Sequence, residues 1–173
     1  IVTAIGGESA LGAPLVGRIA FRGLAGGPAD IYVIDGDACS PRNLTNSPSN
    51  EMDPSWSPDQ ERIAFSVDPS SNGTYDPQVF VIGTDGGTPL QVTELSSGFA
   101  RYPSWSPDGG SIAFSDVGTV YTVDVVTKSV LALAPPASGV EGLSSDPDWH
   151  PAGGAIAYTR MTTDQRYEIW KLT

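Results

Sequence analysis

The sequence predicts an all-β fold, a β-propeller built from four-stranded blades, and three observations support this prediction. One pattern recurs along the chain: YPSWSPDGGSIAF at Tyr102–Phe114, DPSWSPDQERIAF at Asp53–Phe65 and DPDWHPAGGAIAY at Asp146–Tyr158. The isoleucines of the I-A-F/Y cores are spaced 44, 49 and 44 residues apart, at positions 19, 63, 112 and 156. The segments between them alternate like strands and show no helical period. Repeats of about 40 to 50 residues with this content are typical of propeller blades.

Each repeat is predicted to supply four short strands, called first to fourth in chain order. The clearest copy places them at Tyr102–Ser106, Ser111–Ser115, Thr119–Val123 and Ser129–Leu133. The equivalent third strands are β-branched or alternating, at Ile31–Ile34, Val79–Ile82 and Glu168–Leu172. The equivalent fourth strands are Arg42–Thr45 and Leu90–Thr93.

The N-terminus is predicted to complete the last blade. The segment Ile1–Ile5 matches a later fourth strand, and a degenerate first strand follows near Ala13–Val16, whereas the last repeat stops after its third strand. Pairing Ile1–Ile5 with that repeat would remove two open sheet edges. We therefore expect a single domain over residues 1–173, with blades at approximately 6–45, 46–93, 94–133 and 134–173, the last completed by strand 1–5.

The number of blades in the ring is left open by the sequence. Four blades around one axis must splay by about 90°, whereas packed sheets prefer modest angles. Two copies that exchange their N-terminal strands would form an eight-bladed ring, and a fragment of a longer array would also fit. A four-bladed ring, half of an eight-bladed dimer ring and a fragment remain alternatives, so a homodimer is one of the expected states.

The charge balance excludes several classes of partner. Nine Lys and Arg residues stand against 20 Asp and Glu residues, for a net charge of −11. Nucleic acids and anionic membranes need a basic surface, so we expect neither as a partner. No apolar run approaches the roughly 18 residues of a membrane span, so no membrane insertion is expected. Cys39 is the only cysteine, which excludes an internal disulfide.

The recurring residues have structural explanations. Pro107 presets φ in the turn after the first strand, Asp108 can accept a backbone hydrogen bond, and Gly109 tolerates a positive φ. Three tryptophans occupy the same place in successive repeats, at positions 56, 105 and 149. We expect them to pack between neighbouring blades; an aromatic cage for a ligand is the alternative.

The repeat closely resembles the TolB-type β-propeller repeat, with its landmarks P-x-W-S-P-D-G, I-A-F, I-Y-V-x-D and L-T. The third landmark is present as Ile31–Asp35, and the fourth as Leu44-Thr45 and Val92-Thr93. The resemblance covers nearly the whole chain, although the first copy lacks S-P-D-G. It implies a periplasmic or secreted propeller that binds other proteins. The same repeat also occurs beside peptidase domains and in sugar-acid lyases.

The candidate binding site lies among the variable loops. Because strands alternate in direction, second-to-third and blade-to-blade loops share one end, and these loops vary: Gly23–Asp30, Asn46–Asp53, Val67–Pro77, Leu95–Arg101 and Ala137–Asp146. Variable loops on a rigid scaffold commonly carry recognition. The centre of this end, where the first strands begin, is termed the mouth. We expect a binding site for a basic or polar peptide there, acidic and with an aromatic rim, formed by Asp53, Arg101, Tyr102 and Asp146. The alternative is that an Asp before a Pro simply caps the loop.

The sequence offers little for catalysis or metal binding. His150 is the lone histidine and occupies a turn, which argues against a histidine-based metal site or a catalytic triad. Asp35-Gly36-Asp37 lacks the further acidic ligands of a calcium loop. No Gly-rich loop precedes a helix. We therefore expect no cofactor, no metal and no catalytic residue.

These observations favour a non-catalytic module that binds a protein or peptide in the periplasm or extracellular space. One alternative is a propeller that gates or orients substrate for a peptidase or lyase in a longer chain. Another is a carbohydrate-binding propeller, which should show exposed aromatic residues repeated from blade to blade on one face.

Overall fold

The computed structural model describes residues 3–6, 17–36, 40–69, 75–96, 98–134, 144–162 and 164–173. Every regular element in these residues is a β-strand, and the strands form four antiparallel sheets. The first sheet contains β1 (Thr3–Gly6), β2 (Gly17–Leu24), β3 (Ala29–Asp35) and β4 (Arg42–Asn43). The second contains β5 (Asn50–Trp56), β6 (Arg62–Asp68), β7 (Gln78–Gly83) and β8 (Leu90–Gln91). The third contains β9 (Arg101–Trp105), β10 (Ser111–Asp116), β11 (Thr119–Asp124) and β12 (Val130–Ala134), and the fourth contains β13 (Ser144–Trp149), β14 (Ile156–Met161) and β15 (Tyr167–Leu172).

The S-P-D turn joins the first and second strands by side-chain hydrogen bonds. In the third sheet the Ser106 hydroxyl donates to Asp108 Oδ1 (2.6 Å) and accepts from the Ser111 amide (2.9 Å). The second sheet repeats this arrangement with Ser57 and Asp59. Gln60 has a φ of 60° at the position where the third sheet has Gly109, with a φ of 70°. The predicted turn is confirmed, and it accepts a residue other than glycine.

An aromatic pair recurs in the register between the second and third strands of each sheet. Phe21 lies opposite Tyr32, and the other pairs are Phe65–Phe80, Phe114–Tyr121 and Tyr158–Trp170. The ring centroids of the first three pairs are 5.7, 6.3 and 5.5 Å apart. The I-A-F core therefore places an aromatic ring on one side of each sheet and an alanine on the other, because neighbouring strand residues point to opposite faces.

The core is built from two kinds of sheet face. Between the first and second sheets, one face supplies Ala20, Ile31, Val33 and Leu44, and the other supplies Trp56, Ile63, Phe65 and Ile82. Between the second and third sheets the same pattern recurs, with Ala64, Val79, Val81, Val92 and Ala100 against Trp105, Ile112, Phe114, Val123 and Val125. An alanine/β-branched face of one sheet thus packs on an aromatic/isoleucine face of the next.

Tryptophan and arginine connect consecutive sheets at the turn end. Trp56 and Trp105 are buried, which confirms their predicted packing between sheets. The Trp105 indole N–H donates to the Ser55 carbonyl (3.2 Å). The Arg18 guanidinium lies 4.8 Å from the Trp56 ring centroid, and that of Arg62 lies 4.6 Å from the Trp105 centroid. Each arginine also donates to a turn carbonyl of the next sheet, at Gln60 and Gly109 respectively.

The N-terminal strand lies elsewhere than predicted. β1 pairs with β2 in the first sheet, with Ala4 opposite Ile19, and the last sheet contains three strands, β13–β14–β15. The expectation that Ile1–Ile5 completes the last blade is therefore wrong for the described part of that segment. The degenerate first strand expected at 13–16 lies outside the described residues, and β1 occupies the first-strand position instead.

Packing in the described chain runs from each sheet to the next. The first strands β5, β9 and β13 lie side by side, and β2 and β3 pack on β5. No extensive strand packing joins the fourth sheet to the first among these residues. The described residues therefore show a stack of four sheets without the predicted closure, and the division of residues 1–173 into four blades of one domain stays a prediction.

Candidate binding site

Three of the four predicted site residues occupy an equivalent bulge in their first strands. The register of each first strand slips by one residue against its second strand, just before the W-S-P or W-H-P segment. The residue at each bulge has a left-handed φ: 56° for Asp53, 57° for Tyr102 and 53° for Asp146. A proline follows in each case, and it fits because a bulge removes the need for a ladder N–H.

Arg101 contacts three other side chains of the site. Its Nε donates to Asp53 Oδ2 (2.6 Å), a second nitrogen donates to Asp53 Oδ1 (3.2 Å), and a third donates to the Tyr75 hydroxyl (2.6 Å). Its guanidinium lies 4.7 Å from the centroid of the Tyr102 ring. Arg101 begins β9 and Asp53 lies in β5, so this bidentate pair joins the second and third sheets.

Two aromatic residues of the site were missed by sequence reasoning. The Tyr75 hydroxyl accepts a hydrogen bond from Arg101, and the Tyr75 ring meets Phe99 edge-on at 5.1 Å between centroids. Both rings are substantially exposed. The Tyr75 hydroxyl donates to the Met52 sulfur (3.3 Å), a weak acceptor that a carbonyl oxygen would replace favourably. Strand alternation gave no signal for these residues, because Tyr75 lies in the loop between β6 and β7 and Phe99 in the loop between β8 and β9.

Their surroundings set the charge states of Arg101 and Tyr75. Burial disfavours the charged form of Arg101, but the hydrogen bonds and the negative charge of Asp53 outweigh it and raise the pKa of Arg101 above its ordinary value. Burial also raises the pKa of the Tyr75 hydroxyl, an effect that the charge of Arg101 opposes and that of Asp53 reinforces. Arg101 is therefore a fixed cation beside a neutral phenol at neutral pH.

Further carboxylates surround this cluster. Asp146 is exposed in β13, accepts a hydrogen bond from the Ser145 hydroxyl (3.0 Å), and lies one sheet beyond Tyr102. Asp116 is buried near Asp76, and its pKa is raised by burial, lowered by the Phe99 amide and raised again by the charge of Asp76. The structure therefore brings together Asp53, Arg101 and Tyr102, whereas Asp146 stands apart with a free surface.

The described parts of the variable loops that belong to the first three sheets lie at this end of the sheets, as predicted, whereas most of the loop at 137–146 lies outside the described residues. The Ser47 amide donates to Asp30 (2.9 Å) and the Ala29 amide donates to Asn50 (3.3 Å), which joins the first and second sheets. Arg101 and Tyr75 join the second and third. At the opposite end, a cleft of about 250 Å³ is lined by the tryptophan, serine and proline residues of the turns and contains no charged side chain.

His150 lies in a turn and is not part of this site. His150 is exposed, and its Nδ1 accepts from the Ala152 amide (3.2 Å) as part of its turn. Cys39 lies outside the described residues, as does Asp37 of the weighed calcium loop. Among the residues that the structure describes, no three His, Cys, Asp or Glu side chains are grouped as metal ligands. In that same part of the chain, no helix has the length and apolarity needed to cross a bilayer.

Comparison with known families identifies the repeat. The profile of the TolB beta propeller domain matches residues 13–172. The chain belongs to the TolB β-propeller family. The S-P-D turns, the inter-sheet tryptophans and the aromatic pairs described above are thus features of a TolB-family propeller. No curated protein matches the chain.

Solved structures share the fold of this TolB-family chain. TolB from Acinetobacter baumannii superimposes with a TM-score of 0.69 at 24% identity, over 89% of this chain and 38% of that one. Oligogalacturonate lyase from Vibrio parahaemolyticus gives 0.62 at 11% identity, over 89% and 45%. A prolyl endopeptidase structure gives 0.66 at 14% identity, over 98% and 27%. The chain therefore spans less than half the length of each of these three proteins.

Proposed function

We propose that this TolB-family propeller is a non-catalytic module that binds an extended peptide segment of a protein partner at the variable-loop end. One observation carries the proposal: Arg101 is held by Asp53 and Tyr75 across two sheets, and the exposed rings of Tyr75 and Phe99 stand beside it. A rigid polar centre with aromatic groups around it is a common anchor in protein recognition.

Each group has a distinct role in this proposal. The Tyr75 hydroxyl takes a peptide carbonyl in place of the Met52 sulfur, and the aromatic rings of Tyr75 and Phe99 pack on the peptide. Asp146 binds a basic side chain, because its carboxylate is exposed. Asp53 acts indirectly, since both of its oxygens accept from Arg101. This refines the sequence-based hypothesis, in which Asp53 met the ligand directly.

The acidic character of the chain supports a basic or polar ligand. A net charge of −11 attracts cationic segments over distances of about a Debye length, roughly 8 Å at physiological salt. We also propose a periplasmic or extracellular location, in keeping with what the family resemblance implies. Fractionation of producing cells, with antibody detection of the native protein, tests the location: recovery in the cytoplasmic fraction contradicts it.

Selection from a displayed library of random peptides tests the binding function. We expect enrichment of peptides with aromatic and basic residues. The double variant Tyr75→Ala/Phe99→Ala should weaken their binding at least tenfold, and Asp146→Asn should weaken the basic ones less. Val126→Ala is the control, because Val126 is 88% exposed in the β11–β12 turn, at the end of the sheets opposite the variable loops. Failure to enrich any peptide, or unchanged affinity in the double variant with an intact fold, contradicts the proposal.

A second candidate is a propeller that orients substrate for a peptidase or lyase domain of a longer chain. The fold similarity to a prolyl endopeptidase over 98% of this chain favours it. Reading the complete gene distinguishes the two: a peptidase or lyase domain encoded in frame supports the second candidate, and its absence supports the first.

A further inference from the structure

A buried carboxylate lies where the second and third sheets meet at the variable-loop end. Asp116 ends β10, two residues after Phe114 and four after Ile112, so its side chain faces the second sheet as theirs do. The equivalent residue of the second sheet, four residues after the isoleucine of the I-A-F core, is Val67, which packs against the apolar core. Asp116 is only 9% exposed. An acidic group therefore occupies a position that an apolar side chain fills in the neighbouring sheet.

One oxygen of this carboxylate has no hydrogen-bond partner. Asp116 Oδ1 is buried and unpaired among the described atoms, although the Phe99 amide interacts with the carboxylate. Buried polar atoms are nearly always paired with protein groups, water or an ion. A buried charge without a cation costs still more free energy. The unpaired oxygen thus points to a ligand that donates a hydrogen bond and carries positive charge.

A second carboxylate borders the same stretch of backbone. A Cβ added at Gly98 would overlap Asp76 Oδ1 and Gln78 Nε2, so the Asp76 carboxylate lies directly against this glycine. The next amide, that of Phe99, interacts with Asp116, and the charge of Asp76 acts on Asp116. The two carboxylates are therefore neighbours along the Gly98–Phe99 peptide. No ion pair within the described residues includes either of them.

The hydrogen bonds around this pair select the kind of cation. Gln78 Nε2 donates to Asp76 Oδ1 (3.4 Å), and the Phe99 amide faces Asp116, so each carboxylate offers one oxygen rather than two. An arginine fork binds both oxygens of one carboxylate, whereas an ammonium donates to separate acceptors in different directions. A calcium ion takes six to eight oxygen ligands, and no third carboxylate joins the pair in the part of the chain that the structure describes. The pair therefore suits a primary ammonium.

We propose that Asp116 and Asp76 form a subsite for a lysine ammonium of the bound peptide. This inference rests on the proposed function, because it assigns one residue of the peptide that packs on Tyr75 and Phe99. The ammonium enters beside Asp76, which is half-buried, and donates to Asp116 Oδ1 and Asp76 Oδ2. The aliphatic stem of the lysine packs on the exposed Phe99 ring.

A nuclear magnetic resonance titration of the Gly98 and Phe99 backbone amides tests the subsite directly. The probe is Nα-acetyl-L-lysine amide, compared with the corresponding arginine and norleucine derivatives. We expect saturable shifts with the lysine compound, about tenfold weaker binding of the arginine compound, and no shift with the uncharged norleucine compound. Calcium chloride at matched ionic strength should leave the two amides unshifted.

Asp116→Asn separates the subsite from the overall charge of the chain. This change removes one charge and keeps the side-chain shape, and it should weaken lysine binding about tenfold. Asp85→Asn is the matched control: it makes the same charge change in the exposed β7–β8 turn, at the opposite end of the sheets, and should bind like wild type. Gly98→Ala should also weaken binding, because its Cβ would displace the Asp76 carboxylate. Unchanged amide spectra away from the site verify the fold of each variant.

The outcomes for the subsite and for peptide binding are distinguishable. Lack of saturable shifts with the lysine compound, equal binding of the arginine compound, or wild-type-like binding by Asp116→Asn overturns the subsite. Tighter binding of calcium than of lysine at these amides assigns the pair to a metal ion and overturns it as well. In the peptide selection, enriched peptides without lysine contradict the subsite alone. Saturable lysine binding without any enriched peptide contradicts the proposed function alone.

Discussion

The interface between the second and third sheets and the interface between the third and fourth sheets are built from the same repeat, but different side-chain contacts stabilise them. At the former, Arg62 lies over Trp105 and donates to Gly109, and the Trp105 indole donates to Ser55. At the latter, Ser111 stands in the arginine position, and the Trp149 indole N–H is buried without a partner among the described atoms. Ser104 compensates in part, donating to Asp148 (3.1 Å) and accepting from the Trp149 amide (3.2 Å).

The comparison teaches that an inter-sheet tryptophan is a complete anchor only with its two partners. An indole N–H that loses water without gaining an acceptor carries a desolvation cost of about 1–3 kcal/mol. The cation above the ring adds roughly 0.5–1 kcal/mol at such sites. Both differences lead us to expect the fourth sheet to be the less firmly attached member of the stack.

Removing the two indoles should separate the interfaces most clearly. Trp105→Ala deletes a buried ring and its hydrogen bond, and should lower the free energy of unfolding by about 3–5 kcal/mol. Trp149→Ala should cost about half as much, because that ring is half-buried and its N–H has no partner to lose. Urea unfolding at unchanged m-value measures both. Equal losses would show that the two interfaces are equally strong.

The pH dependence of stability should distinguish the interface between the first and second sheets from the interface between the second and third sheets. Glu51 is buried at the first–second interface, two residues before the bulge residue Asp53. At the second–third interface the equivalent position, two residues before Tyr102, is occupied by Ala100. Burial raises the pKa of Glu51, although hydrogen bonds from Thr45, Ser47 and Ile31 oppose it and Asp30 adds to it. The folded state therefore holds this proton more tightly than the unfolded state, and stability is lost as pH rises above the ordinary glutamate range.

Glu51→Gln should remove that loss. The variant's free energy of unfolding, relative to wild type, should rise between pH 4 and pH 7, as measured by thermal unfolding in matched buffers. Parallel pH profiles for the two proteins would contradict the expected change in proton binding.

Adding the missing arginine should have the smallest effect. Ser111→Arg places a guanidinium where Arg18 and Arg62 stand in the first two sheets, within reach of the Trp149 ring. We expect a gain of about 0.5–1 kcal/mol in urea unfolding. Ser111→Gln, which has length without charge, is the control. The same gain in the glutamine variant would assign the effect to packing alone.

The sequence was sufficient where the repeat was intact. Trp56, Trp105 and the I-A-F cores located the eleven strands of the second, third and fourth sheets to within a few residues, because turn chemistry and alternation act locally. The N-terminal strand was misplaced because Ala4 stands where the repeat has tryptophan, and no S-P-D-G turn marks its register. Tyr75 was missed because a loop position depends on long-range contacts, here with Arg101 and Phe99.

The left-handed φ at the three bulges limits which residues relatives can carry at positions 53, 102 and 146. Each one places a single side chain outside the hydrogen-bond ladder, so a change there leaves strand pairing and core packing alone. The positive φ nevertheless favours glycine, asparagine and aspartate, and penalises β-branched residues most. Relatives with other ligands are thus expected to exchange small polar groups or an occasional ring at positions 53, 102 and 146, and to leave valine, isoleucine and threonine out of them.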